Sequence, residues 1–196
     1  MGAILTNSMV IESVFCLVLV GLVMLVRGES WGLRDGNWRP GLVVGGLFGL
    51  EFLLVGEGLR HTSASHMVVF LYTAPIFAAL GLHWKLPAER LGVPQWIGIA
   101  LAFSGLAYAF LGRNPAVGPG SAAEAGNVLW GDFLGLLGGL AWGATTVVVR
   151  CSKLAQAPAT QTLLYQLIGA FVLLLAGAAV TGQTRVNLTP EVWASL

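Results

Sequence analysis

Three long apolar runs, residues 41–59, 65–84 and 92–112, follow one another with only two short polar joints between them. No other feature restricts the fold so strongly. An α-helix rises about 1.5 Å per residue, so roughly 20 apolar residues cross the ~30 Å hydrocarbon layer of a bilayer. Each run is therefore predicted to be a membrane-spanning helix, the conformation that satisfies its backbone hydrogen bonds internally. The middle run contains Tyr72-Thr73-Ala74-Pro75, in which the proline removes the helical bond to the carbonyl of Leu71, yet apolar residues continue to Trp84. A soluble helix would stop there; a membrane helix kinks and continues.

Three further apolar runs lie at 9–26, 128–149 and 161–180, and the chain is 56% hydrophobic and 10% charged. About a quarter charged is usual for a soluble domain. The expected fold is thus all-α, a polytopic membrane helix bundle with six transmembrane helices. The first run does not read as a signal peptide, because Glu12 stands where a basic segment belongs and no small-residue cleavage site follows Val26. Arg27-Gly28 ends that run, with glycine suited to the left-handed residue after a helix. A net charge of +1 without any basic tract excludes a nucleic-acid partner. Cys16 and Cys151 fall at different depths, so they form no disulfide framework. His61, His66 and His83 lack metal-ligand spacing, and no nucleotide-binding loop is present. Neither a metal nor a cofactor is expected.

Rows of small residues mark the faces on which helices approach one another. Gly41, Gly45 and Gly49 form one, Gly98, Ala102 and Gly105 a second, and Gly131, Gly135, Gly139 and Gly143 a third at strict four-residue spacing. Short joints predict that 41–59, 65–84 and 92–112 are antiparallel neighbours. Residues 113–127, rich in Gly, Pro, Ala and Ser, read as the flexible linker that divides the chain. The joint 27–40, with three arginines and Trp31 and Trp38, suits the headgroup level. Arg27, Arg34, Arg39, Lys85, Arg90, Arg150 and Lys153 fall on one side, and Arg60, Arg113 and Arg185 on the other. The richer side is expected in the cytoplasm.

Several of these stretches carry a family resemblance. Gly58-Leu59-Arg60-His61-Thr62-Ser63-Ala64-Ser65-His66, then Leu71-Tyr72-Thr73-Ala74-Pro75, then Glu89-Arg90-Leu91, and Gln95-Trp96-Ile97-Gly98-Ile99-Ala100-Leu101-Ala102-Phe103-Ser104-Gly105 resemble the EamA-type repeat of the drug/metabolite transporter superfamily. Where that family commonly has Gly-Glu-Arg-Leu, this chain has Ala88-Glu89-Arg90-Leu91. The resemblance implies a parent of ten helices in two inverted five-helix halves, of which this chain supplies the second to seventh. Residues 1–112 would be an incomplete first repeat, 113–127 the linker and 128–196 an incomplete second repeat. Sliding the chain by 154 residues places the first run on the sixth, matching Ser8 with Thr162, Glu12 with Gln166, Val18 with Val172, Leu19 with Leu173, Val26 with Val180 and Gly28 with Gly182.

Among residues able to carry chemistry, Glu51 stands out, since an ionised carboxylate facing lipid near the middle of a span is very costly. It is either a proton-exchanging or cation-binding group or a carboxylate hydrogen-bonded between helices for packing. Glu57 lies three residues from Arg60, a spacing that makes a surface ion pair. Asp132, near the start of the fifth run, is read as complementing a helix N-terminus. Ser65 and Tyr72, and beside them His66 and Thr73, repeat at seven-residue spacing on one polar face, while Trp142, Thr145 and Thr146 share a face of the fifth run. The resemblance implies a substrate cavity near the midplane and, by helix and depth, makes Glu51, Tyr72, Thr73 and Trp142 candidate lining residues. It further implies a secondary transporter, not an enzyme, which moves small organic metabolites or drug-like compounds across a bacterial inner membrane as an exporter. Its partners would then be a small-molecule substrate and the lipid bilayer, with a homodimer left open. A non-transporting membrane fragment is the alternative, and an intramembrane enzyme is disfavoured because Ser65 and His66 diverge around their helix.

Overall fold

A chain this apolar has to close its backbone hydrogen bonds within each segment that lies in lipid. The described residues accordingly form helices and no strand. The computed structural model describes residues 2–29, 31, 36–111 and 122–180. In order they are α1 (Gly2–Arg27), α2 (Trp38–Gly58), α3 (Ala64–Leu71), α4 (Ala74–Lys85), α5 (Val93–Leu111), α6 (Ala122–Arg150) and α7 (Ala159–Val180), with 3-10 turns at Pro87–Glu89 and Lys153–Gln156. Among the described residues four helices are long and apolar enough to cross a membrane: Trp38–Gly58, Ala64–Lys85, Asn127–Arg150 and Ala159–Val180. Ser13–Arg27 and Val93–Gly105 are shorter apolar helices, so four of the six expected spans meet that test.

The span at Ala64–Lys85 is bent at the place the proline predicts. Leu71 ends α3 and Ala74 begins α4, while Tyr72 (φ −68°, ψ 1°) and Thr73 (φ −73°, ψ −14°) stay close to helical dihedrals, so the chain bends without turning back. Pro75 sits in the first turn of α4, where a missing N–H leaves no bond unmade within that helix. Ser63 caps α3 by accepting from the His66 backbone N–H at 3.3 Å. Gly28 follows α1 with φ +62°, the left-handed conformation expected of it. At the other end of the chain α6 starts at Ala122, six residues before the expected 128, because Ala122, Ala123, Glu124 and Ala125 are strong helix formers. Positions 112–121 and 181–196 lie outside the described residues.

The helices pack in a row, α1 on α7, α7 on α2, α2 on α6, and α6 on α3 and α4. This order corrects the expectation that 41–59 and 65–84 are direct neighbours. They touch near their shared turn, where the Met67 side chain meets Gly58, but α6 is wedged between them beyond it. Glycine makes the wedge fit. A Cβ at Gly131 would lie 2.8 Å from the Thr62 backbone N, at Gly135 3.0 Å from Met67 Sδ, at Gly139 2.8 Å from the Phe70 carbonyl and at Gly143 2.9 Å from the Ala74 carbonyl. One face of α6 thus follows α3, the bend and α4 at backbone contact. The row on α2 does the same against α7: a Cβ at Gly41 would fall 2.6 Å from the Tyr165 ring, and the backbones of Gly45 and Gly169 touch. By contrast the expected stripe of Gly98, Ala102 and Gly105 on α5 packs on nothing among the described residues; a Cβ at Gly98 or Gly105 would find none of their atoms within 4 Å.

Candidate functional site

The site is built on α2 and α6. Val44, Glu51, Val55 and Gly58 fall on one stripe of α2, spaced by seven, four and three residues. That stripe faces α6 along its length. Gly58 lies against the Gly131 carbonyl and Leu134, with a Cβ there 3.2 and 3.3 Å from them, a Cβ at Gly138 would lie 3.5 Å from Val55, and Val44 belongs with Leu154 and Tyr165 to a buried cluster against which Val148 and Val149 pack. The antiparallel register between these contacts sets Glu51 opposite the turn that contains Ala141 and Thr145, well inside both spans. Glu51 is 7% exposed, and its Oε2 makes no hydrogen bond among the described residues. Thr145 does not answer it, because its Oγ1 donates to the Ala141 carbonyl at 2.9 Å. A buried carboxylate oxygen with no donor is expensive, and a proton, a cation or water would relieve that cost.

The four residues proposed to line a cavity do not share one environment. Thr73 is 1% exposed, wedged against Gly139, with its hydroxyl donating to the Phe70 carbonyl at 2.5 Å. Tyr72 is 68% exposed and Trp142 40% exposed. The seven-residue repeat on the bent span therefore separates into two stripes: Ser65 and Tyr72 lie exposed, whereas His66 and Thr73 turn towards α6. Glu51 and Thr73 flank α6 from opposite neighbours, α2 and the bend before α4. Gly131, Gly135, Gly139 and Gly143 contribute close backbone approach on the Thr73 side.

A second polar group lies one end of the bundle away and was hidden from the sequence reading. Asp132 is buried ten residues into α6, so it does not cap that helix. Thr62 Oγ1 donates to Asp132 Oδ1 at 2.6 Å, and His66 Nδ1 lies 3.2 Å from both carboxylate oxygens. The four-residue spacing of Thr62 and His66, and the run of helix formers from Ala122, were the signals that could have revealed it. Beside this group the ion pair expected of Glu57 and Arg60 is present at 2.8 Å, with His61 also 3.1 Å from Glu57.

Polar contacts at the opposite end draw the three basic joints together. Thr160 donates to Glu29, Arg150 pairs with Glu89, and Asn37 Nδ2 donates to Gln161 Oε1 at 3.3 Å between two buried side chains. Among the described residues no group of His, Cys, Asp and Glu side chains could hold a metal ion. Cys16 and Cys151 are free. Compared with known proteins, residues 3–111 match the model of a family described as the EamA-like transporter family. No curated protein and no solved structure matches the chain.

Proposed function

The chain belongs to the EamA-like transporter family, and on that premise we propose that it is a secondary transporter moving small organic metabolites or drug-like compounds across a bacterial inner membrane, as an exporter. The observation that carries this reading is the buried carboxyl of Glu51, whose Oε2 has no hydrogen-bond donor among the described residues. Such a group persists inside a span only if it is neutral, paired or reached by a water-filled cavity. Lys and Arg are absent from the interior of α2, α6 and α7, so a resident ion pair is not what keeps it. A proton that leaves and returns as the protein changes its facing satisfies the carboxyl and supplies a driving force. Of the other candidate lining residues, Trp142 and Tyr72 are exposed and can meet a substrate, whereas Thr73, buried against Gly139, supports the bend. The same reading takes the helices as part of a ten-helix arrangement of two inverted halves, 1–112 and 128–196, joined by 113–127. The end of the family match just before that joint supports the division.

The test is substrate flux in vesicles containing the complete reading frame, with and without a proton gradient. Glu51→Gln is expected to cut gradient-driven flux by about tenfold or more while leaving membrane levels and thermal stability in detergent intact. Equal flux in Glu51→Gln and the parent at every pH reduces Glu51 to a packing residue. Absence of flux for every compound tried, with the protein correctly inserted, favours a membrane protein that does not transport.

A further inference from the structure

We propose that His83 is an acid-sensitive clasp between α4 and α5: its neutral imidazole ties the joint of the two helices, and protonation of that ring unties it. The clasp is independent of Glu51 and of what the protein transports. His83 lies half-buried in the last turn of α4, and its Nδ1 accepts the backbone N–H of Leu91 at 2.8 Å. The same ring meets Trp96 edge to face, with centroids 5.5 Å apart. Trp96 stands in the first turn of α5, where its N–H bonds the Gly92 carbonyl at 3.1 Å and the Gly92 N–H donates to Gln95 Oε1. One side chain thus holds both the peptide that leads into α5 and a ring on its first turn. Farther along, a Cβ at Gly98 or Gly105 would find no described atom within 4 Å, and Val93, Ile97 and Leu101 are exposed. The placement of α5 therefore leans on its joint.

The hydrogen bond from Leu91 fixes the state of the ring. An imidazole nitrogen accepts only while it carries no hydrogen, so Nδ1 is bare and the hydrogen of the neutral ring is on Nε2. A proton added at Nδ1 sets donor against donor, and two N–H groups cannot stay at 2.8 Å. Trp96 does not oppose the change, since an aromatic ring attracts a cation as well; what is lost is the Leu91 bond. The charged residues on the elements around the ring are Lys85 on α4, Glu89 and Arg90 in the joint, and Arg150 on α6, while α5 carries none. Glu89 pairs with Arg150. The two remaining charges, Lys85 and Arg90, are positive and repel an imidazolium. Histidine is the side chain that changes charge between pH 5 and 8. The clasp is therefore shut on the alkaline side of that window and open on the acid side. Opening frees the backbone at Leu91 and Gly92, where the chain takes its direction from α4 into α5. In the orientation expected from the basic residues this joint lies in the cytoplasm, so the acidity it senses is that of the cell interior.

The experiment follows amide hydrogen exchange of residues 86–92 by mass spectrometry, on the full reading frame in lipid nanodiscs. Variants are compared at one pH, so that the intrinsic pH dependence of exchange cancels. His83→Asn puts an amide oxygen near the place of Nδ1, which accepts from Leu91 at every pH, and His83→Phe keeps a ring for Trp96 but has no acceptor. At pH 8 the parent and His83→Asn are expected to exchange alike and His83→Phe about fivefold faster, the effect of one hydrogen bond. At pH 5.5 the parent should join His83→Phe while His83→Asn stays slow, with segments of α6 exchanging equally in all three. Parent and His83→Asn alike at pH 5.5, or His83→Phe no faster than the parent at pH 8, overturns the clasp. So does a rise at pH 5.5 that α6 shares, which marks a general loosening. If His83→Asn does not fold, the ratio of His83→Phe to the parent decides: a fall from about fivefold at pH 8 to about one at pH 5.5 upholds the clasp, and a constant ratio overturns it.

Discussion

Adjacent glycines on α6 should respond in opposite directions to the same methyl group. A Cβ at Gly139 would lie 2.5 Å from Thr73 Oγ1 and 2.8 Å from the Phe70 carbonyl, and 3.3 Å from the Leu71 carbonyl. Two of these three atoms are backbone in the bend, so no rotamer change relieves the clash. Relief requires α6 and the bent span to part by about half an ångström or more, which forfeits roughly a quarter to a half of the dispersion at each contact along the row. It also disturbs the hydroxyl of Thr73, which supports the Phe70 carbonyl. Overpacking of this kind costs about 1–3 kcal/mol. At Gly138 the nearest atoms to an added Cβ are Leu71 Cδ1 and Val55 Cγ2, both at 3.5 Å, which is ordinary van der Waals contact with flexible side-chain ends. There the helix propensity of alanine over glycine, about 1 kcal/mol, is gained with little opposing it. Gly139→Ala is therefore expected to lower the thermal midpoint in detergent and Gly138→Ala to hold or raise it, followed by tryptophan fluorescence with yield of monodisperse protein as a second measure. Equal midpoints for the two variants, or a rise in both, would refute the claim that the α6 glycine row sits at backbone contact.

Two other expectations follow from the ends of the bundle. Asn37→Ala should destabilise by about 1–3 kcal/mol, because it leaves the buried Gln161 amide without its partner, whereas Asn37→Leu with Gln161→Leu should recover part of that loss; a double-mutant cycle in detergent with no coupling argues against the pair. With Cys16 and Cys151 replaced, Ala88→Cys should resist an impermeant reagent in intact cells and Ser121→Cys should accept it, following the excess of basic residues in 27–40, 85–91 and 150–160. The reverse pattern inverts the orientation.

Periodicity and composition carried the local half of this protein. Helicity, four of the six expected spans, the bend at Pro75, the glycine after α1 and the family were legible in the chain because each depends on residues within a few turns of one another. The glycine rows announced that close approaches exist. What they approach was decided by the tertiary structure: shape complementarity between whole faces sets the order of helices, and that order put α6 between α2 and the bent span. Partners distant in sequence, His66 with Asp132 and Asn37 with Gln161, follow from that order, and no periodicity names the one from the other. The fates of neighbouring polar residues follow too, with Thr73 buried beside an exposed Tyr72 and the α5 stripe left uncovered. Glu51 shows both halves at once. Its cost in the membrane was evident from its position in an apolar run, whereas the lack of a donor at Oε2 could be settled only by which turn of α6 the packing set against it.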